Sequence, residues 1–153
     1  MYVETSVISY LTGRISRDLV TSANQRQTRA WWSESRSKLD LYVSQVVLLE
    51  IGGGDLAVAQ KRLALAQEIP RLNLPPEGVL LSREILRRTG LPKKAGRDAL
   101  HVAIAALHGM DFLVTWNCRH IANAFLIPRI ISIIEERGWR SPVICTPPQL
   151  AEY

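Results

Sequence analysis

Four residues from separate parts of the chain carry groups suited to phosphodiester chemistry: Glu4, Glu50, Asp98 and Asn117. Three carboxylates and one amide all offer oxygen. Gathered in one place, the carboxylates would repel one another and raise each other's pKa. A divalent cation removes that conflict, and an all-oxygen set suits hard ions such as Mg²⁺ or Mn²⁺. Such ions activate water and stabilise the oxygens of an in-line phosphodiester displacement. Taken singly, each residue has an ordinary explanation. Glu4 reads as a strand-end surface charge, Asp98 as an acid favoured by a helix N-terminus, and Asn117 as a helix cap. Glu50 is the hardest to dismiss. Its neighbours Val46, Val47, Leu48, Leu49 and Ile51 are apolar, and an ionised carboxylate among them is costly unless something compensates it. A structural ion pair is its ordinary alternative. The case for a site therefore rests on the group.

Whether these residues meet depends on the elements that carry them. Tyr2 and Val3 read as the end of a strand, with Glu4 behind it. Thr5 and Ser6 offer capping hydroxyls to a helix over Val7 to Leu11. A polar helix follows from about Thr21, anchored by Trp31 and Trp32. Core packing is the simpler reading of that pair, and a contact between subunits is the alternative. Leu41 to Val43 reads as a strand, with Ser44 capping a helix from Gln45 to Ile51 that Gly52, Gly53 and Gly54 stop. Asp55 caps a helix with Leu56, Ala59, Leu63 and Ala66 on one face. Arg71 to Leu74 reads as a short strand, and Pro76 opens a helix running to about Thr89. The segment from Arg97 to His108, RDALHVAIAALH, is apolar nearly all round after its first turn, which predicts a buried helix. Phe112 to Thr115 is a strand, Asn117 starts a short helix to about Asn123, and Pro128 begins a helix rich in isoleucine. Val143 to Cys145 is the last strand, and Pro147 leads into a terminal helical turn. Short apolar strands alternating with helices predict an α/β fold whose mainly parallel sheet is covered on both faces. In such sheets ligands lie at the carboxyl ends of the strands, where Glu4 and Asn117 fall.

The bulk properties narrow the function classes. A chain of 153 residues fits one domain. Cys118 and Cys145 are the two cysteines, without the spacing of a zinc site or a disulfide framework. No segment is long, apolar and uncharged enough to cross a bilayer, and the N-terminus lacks a secretory pattern, so a cytoplasmic location is expected. Lysine and arginine total 19 against 14 acidic residues, a net charge of +5. A basic surface favours a polyanionic partner. If the acids are gathered at one site, the remaining surface is more basic than the sum indicates. Lys93, Lys94 and Arg97 precede Asp98 and are candidates for phosphate contacts, with a solvated basic loop as the equal alternative. Arg119 and His120 follow Asn117 and fall at the rim of the expected site. His101 shares a helix face with Asp98, where packing or an indirect hydrogen bond outweighs direct chemistry. Cys118 has no evident base beside it and reads as an ordinary small side chain.

The strings YVETSVISYL, GRDALHVAIAA and FLVTWNCRHIAN, with Glu50 between them, resemble the PIN-domain superfamily over nearly the whole chain. Within it the likeness is to bacterial toxins of the VapC type. The resemblance implies a three-layer α/β/α sandwich, residues 1–153 as one PIN-like domain, and RNA cleavage dependent on Mg²⁺ or Mn²⁺. It implies Glu4, Glu50 and Asp98 as catalytic metal ligands, Asn117 as a fourth ligand, Thr5 and Ser6 in support, and Arg119 with Lys93, Lys94 and Arg97 toward RNA. It also implies a homodimer and an antitoxin partner. Two departures matter. The family's first acid is usually Asp, and Glu4 is one methylene longer. The fourth position is often Asp, and Asn117 brings no charge. Two other readings stay open: a catalytically weak or inactive PIN-like module that binds RNA or protein, and a metal phosphohydrolase acting on another phosphate ester or on DNA.

Overall fold

The computed structural model describes residues 1–150, and positions 151–153, the end of the expected domain, lie outside the described residues. The elements run β1 (Tyr2–Val3), α1 (Thr5–Thr12), α2 (Leu19–Ser35), β2 (Val43–Ser44), α3 (Gln45–Ile51), α4 (Leu56–Gln67), β3 (Arg71–Leu72), α5 (Pro76–Thr89), α6 (Gly96–Leu107), β4 (Phe112–Val114), α7 (Ile127–Glu136) and β5 (Val143–Cys145). Short 3-10 turns occupy Arg36–Lys38, Lys93–Ala95 and Pro147–Leu150.

All strand pairs are parallel. β4 lies between β1 and β5, with Tyr2 opposite Leu113 and Leu113 opposite Ile144. β2 pairs with β3. The free edge of β1 joins this second pair through Tyr42: the Val3 amide donates to the Tyr42 carbonyl at 2.8 Å and the Tyr42 amide to the Met1 carbonyl at 2.9 Å. The spatial order is therefore β3-β2-β1-β4-β5. The chain builds outward from β1 in one direction, then returns to build from β1 in the other. Open α/β sheets bind ligands at such a reversal, beyond the carboxyl ends of the strands. Here that crevice lies beyond Val3 and Val114. Helices α1 to α4 pack together as one group and α5 to α7 as another, completing a three-layer α/β/α sandwich. No helix among the described residues is long and apolar enough to cross a membrane.

Local chemistry sets the boundaries. The carboxylates of Asp18 and Asp55 accept from the amides of Thr21 and Val58, starting α2 and α4. The Ser44 hydroxyl accepts from Val47 and starts α3. Pro76 sits in the first turn of α5, and Gly90 closes that helix with φ of 74°, a left-handed conformation that favours glycine. The core is centred on α6, where Ala99 and every residue from His101 to Ala106 are buried. Ile130, Ile133 and Ile134 of α7 are buried with it.

Several boundaries differ from the sequence expectations. Helix α1 begins at Thr5, two residues early, because Glu4 supplies the cap in place of Thr5 or Ser6. The second strand is Val43–Ser44, shifted toward α3. The expected helix from Asn117 to Asn123 is a closed turn instead. The amides of Ile121 and Ala122 both donate to the Asn117 carbonyl, at 3.0 and 2.9 Å, and Asn123 then starts a second turn that leads into α7 at Ile127. Trp31 is buried in the core, while Trp32 is half-buried under the Arg36 guanidinium, 5.2 Å from its ring centre.

Two stability predictions follow from this packing. Ile133 is fully buried, so Ile133→Ala should cost roughly 2–5 kcal/mol in denaturant unfolding through lost burial and a residual cavity. The second concerns the clamp between α5 and α7, where Arg88 donates to both oxygens of Glu136 at 2.6 and 3.0 Å. Bonds from Arg88 and then Ser132 hold the Glu136 carboxyl down from an ordinary 4.5 to about 2. A depressed carboxyl stabilises the fold above its unfolded pKa and loses that contribution as pH falls through the folded one. Stability should therefore decline between pH 4.5 and about 2, and less steeply in Arg88→Ala. The pair is exposed, so the difference should be small and shrink in salt.

Candidate functional site

Three short strand ends and one buried helix position the site. β1 ends at Val3, so Glu4 turns into the crevice, where it is buried. Its Oε2 accepts from the Ser6 amide at 3.0 Å, from the Ser6 hydroxyl, and from Thr115 Oγ1 at 2.7 Å. The longer side chain of Glu lets this carboxylate fold back and cap its own helix. The Ser6 hydroxyl also accepts from the Trp116 amide at 2.8 Å. Trp116 is fixed in turn by its indole N–H, which donates to the buried Thr28 hydroxyl at 2.7 Å. The segment after β4 is thus tied to both α1 and α2.

Glu50 reaches the same crevice from the last turn of α3. Its Oε2 accepts from the Thr5 hydroxyl and from His101 Nε2 at 3.0 Å. His101 Nε2 also lies 3.9 Å from Glu4 Oε1, beyond hydrogen-bond distance. Atoms of Glu4, Glu50 and His101 lie within 4.8 Å of one another. Partial burial raises the Glu50 carboxyl's pKa. The hydrogen bonds from His101 and Thr5, together with the charge of Arg97, outweigh that effect and leave it below the usual value.

His101 is fully buried and held from behind. Its Nδ1 lies 2.7 Å from the Tyr2 hydroxyl, which lies 2.7 Å from Ser44 Oγ. An ionised carboxylate only accepts, so Nε2 carries the proton of the bond to Glu50. In the neutral ring Nδ1 is then the acceptor of the Tyr2 proton. Tyr2 accepts from Ser44, and Ser44 Oγ accepts from the Val47 amide at 3.4 Å. Every link has a donor and an acceptor. Burial pushes the Tyr2 hydroxyl well above its ordinary pKa, so it keeps the proton this chain requires. The chain ends in α3, the helix that carries Glu50, and so closes a loop around that carboxylate.

Asp98 lies in the first turn of α6, one turn before His101 and on the same face. It is outside the tight group. Its Oδ2 pairs with His120 Nδ1 at 2.7 Å. Asn117 lies just beyond β4, where its Oδ1 accepts from the His120 amide at 3.1 Å and its own amide donates to Thr115 Oγ1 at 2.9 Å. Glu4, Glu50, Asp98 and Asn117 thus share one end of the sheet. Glu4 and Glu50 form the interior part, and Asp98 and Asn117 are linked through His120 at its margin. Thr5 and Ser6 each bind one of the inner carboxylates. Arg97 is near enough for its charge to act on Glu50, whereas the described contacts leave Arg119 and Lys93 outside this hydrogen-bond network.

The donor set fits a hard divalent ion. Each of the three carboxylates commits one oxygen to donors, and among the described residues no hydrogen bond reaches Glu4 Oε1, Glu50 Oε1 or Asp98 Oδ1. Anionic oxygens without donors could hold a hard cation, and the Glu4 and Glu50 carboxylates lie within 4.8 Å of each other. Sequence reasoning placed the four oxygen residues and missed Thr115, Tyr2 and Ser44. A hydroxyl at the carboxyl end of β4 was a usable signal for Thr115. Tyr2 and Ser44 had none, since strand residues meet across a sheet only once strand order is known.

The chain was compared with known proteins. No curated protein matches it. A solved structure of FitAB bound to an IR36 DNA fragment aligns with a TM-score of 0.57 at 16% sequence identity, covering 99% of this chain and 98% of that one. That likeness shows the fold. The family model for the PIN domain matches residues 1–125, a span that contains Glu4, Glu50, Asp98 and Asn117, and the chain belongs to the PIN domain family.

Proposed function

We propose that this protein is an endoribonuclease that hydrolyses RNA phosphodiesters with Mg²⁺ or Mn²⁺. The observation that carries the reading is the pair of interior carboxylates, Glu4 and Glu50, each with one oxygen saturated by donors and one left for a cation. Glu4, Glu50 and Asp98 would hold the ion, with Asn117 as a direct or water-bridged ligand. Such an ion supplies a water of lowered pKa and neutralises charge on the phosphoryl oxygens. The chain's own residues do the rest. Thr5 and His101 fix the direction of the Glu50 carboxylate. Ser6 and Thr115 fix that of Glu4, and His120 that of Asp98. Lys93, Lys94, Arg97 and Arg119 supply positive charge toward the substrate backbone. Family likeness supports a homodimer, a location in the cytoplasm and a toxin role held in check by an antitoxin protein.

One observation favours a second reading, a PIN module that binds without cutting. Asn117 is uncharged and its oxygen already accepts from His120, which weakens the outer part of the site. Calorimetric titration separates the readings, since a module without a metal centre takes up negligible Mn²⁺.

Two outcomes are expected. With Mn²⁺ and a single-stranded RNA, Asp98→Asn should slow cleavage by more than the roughly 10–100-fold typical of losing an outer partner. Cleavage at the parent rate would remove Asp98 from the site. In His101→Ala, Mn²⁺ affinity measured by calorimetry should fall about 10–100-fold, and His101→Gln, which restores an N–H toward Glu50, should recover part of it. Equal affinity in all three proteins would mean that His101 only fills space.

A further inference from the structure

A groove of about 440 Å³ runs between α5 and α6, separate from the carboxylate crevice but beside it. Helix α5 contributes Val79, Ser82, Arg83 and Leu86, at the spacing of one helix face. The other wall is Lys93, Lys94, Gly96, Arg97 and Leu100. Four cations line it and no acid does. By contrast, Arg88 on α5 binds Glu84 and Glu136, and Arg137 just past α7 binds Glu84. Among the described residues Arg83, Lys93, Lys94 and Arg97 form no direct ion pair, and of the four only Arg97 acts on a carboxylate at longer range, that of Glu50. The floor is different in kind. Val79, Leu86 and Leu100 are half-buried and present an apolar surface below the charged rim.

The helical period ties this groove to the site. Arg97 and Leu100 share one face of α6, and Asp98 and His101 share the next. The groove therefore flanks the carboxylates, and Arg97 belongs to both, since it lines the groove and its charge acts on Glu50.

We propose that the α5–α6 groove binds the phosphodiester backbone of a single-stranded nucleic acid, with Arg83 as a contact on the far wall. Charged rims hold phosphates, while an apolar floor accepts the faces of bases or sugars. A duplex keeps its base faces stacked inward and has none to offer that floor. The proposal deepens the nuclease reading by assigning the path along which substrate approaches Asp98.

Binding is measured without cleavage, on the intact protein in EDTA, by fluorescence anisotropy across a salt series. The probes are a labelled 12-nucleotide RNA, the DNA of the same sequence, and the RNA as a duplex. Both single strands are expected to bind in preference to the duplex, and any preference between them reports the sugar. Arg83→Gln/Lys94→Gln should weaken single-strand binding and lower the slope of log Kd against log salt by about 1.4, from two contacts at ~0.7 each. Both residues are exposed, so circular dichroism should match the parent. An unchanged slope in the double variant, or tighter binding of the duplex, overturns the proposal. So does a poly-glutamate peptide that loses affinity in the variant while RNA does not, because the groove is then a protein-docking surface. A protein that binds through the groove but cuts nothing with Mn²⁺ sinks the nuclease reading alone. One that cuts RNA with parental KM despite the double substitution sinks the groove alone.

Discussion

Two carboxylates held side by side, Glu4 buried and Glu50 partly so, are the constraint around which the rest is arranged. Both lie next to the His101 imidazole, and the fold must stop them from repelling each other apart. It does so without any paired lysine or arginine. Glu4 is compensated by one amide and two hydroxyls, and Glu50 by one hydroxyl and His101. All of these donors act on Oε2. The asymmetry matters: a carboxylate stabilised only to keep the fold intact gains by pairing both oxygens, and here one oxygen of each has no donor among the described residues.

The supporting structure reads as a consequence of that arrangement. The Tyr2 side chain crosses beneath the site to carry hydrogen bonding from Ser44 to His101. It can do this only because β2 follows β1 in the spatial order and α6 packs over them. A burial this deep for His101 would be expensive without partners on both nitrogens. The same logic applies after β4, where Thr115, Trp116 and Asn117 each bond to a different neighbour. The turn that follows is closed on a single carbonyl, that of Asn117, and does not propagate as a helix.

Much of this was legible in the sequence, for identifiable reasons. α3 and α5 came out with their limits intact because Ser44, Gly52, Pro76 and Gly90 are residues whose backbone preferences end or begin a helix whatever surrounds them. α1 was misjudged because its cap is a glutamate, a residue with little local preference for that role, recruited by Thr115 from more than a hundred positions away. The four oxygen residues could be picked out since an acid among apolar neighbours, as at Glu50, has few other uses. Asp98 was expected beside Glu4 and Glu50 with Asn117 as a fourth ligand, yet Asp98 and Asn117 meet through His120, because distance within a site depends on side-chain direction and not on sheet end alone.

Charge is also sorted between the two sides of α6, and this sorting gives the molecule a direction. Acidic residues on α5 and α7 neutralise the arginines near Glu84 and Glu136, so positive potential there is weak. Around the first turn of α6, Lys93, Lys94 and Arg97 form no ion pair among the described residues, and Arg97 acts on Glu50 only at longer range. A polyanion approaching a net charge of +5 therefore meets an uneven field, with four clustered cations beside the crevice. For the nuclease proposed, the cations would draw phosphates to within reach of carboxylates that otherwise repel them, and a metal ion at those carboxylates would relieve the same repulsion at closer range. Both effects would be needed, because an acidic site alone would exclude a polyanion and a basic groove alone would have no means of cutting it.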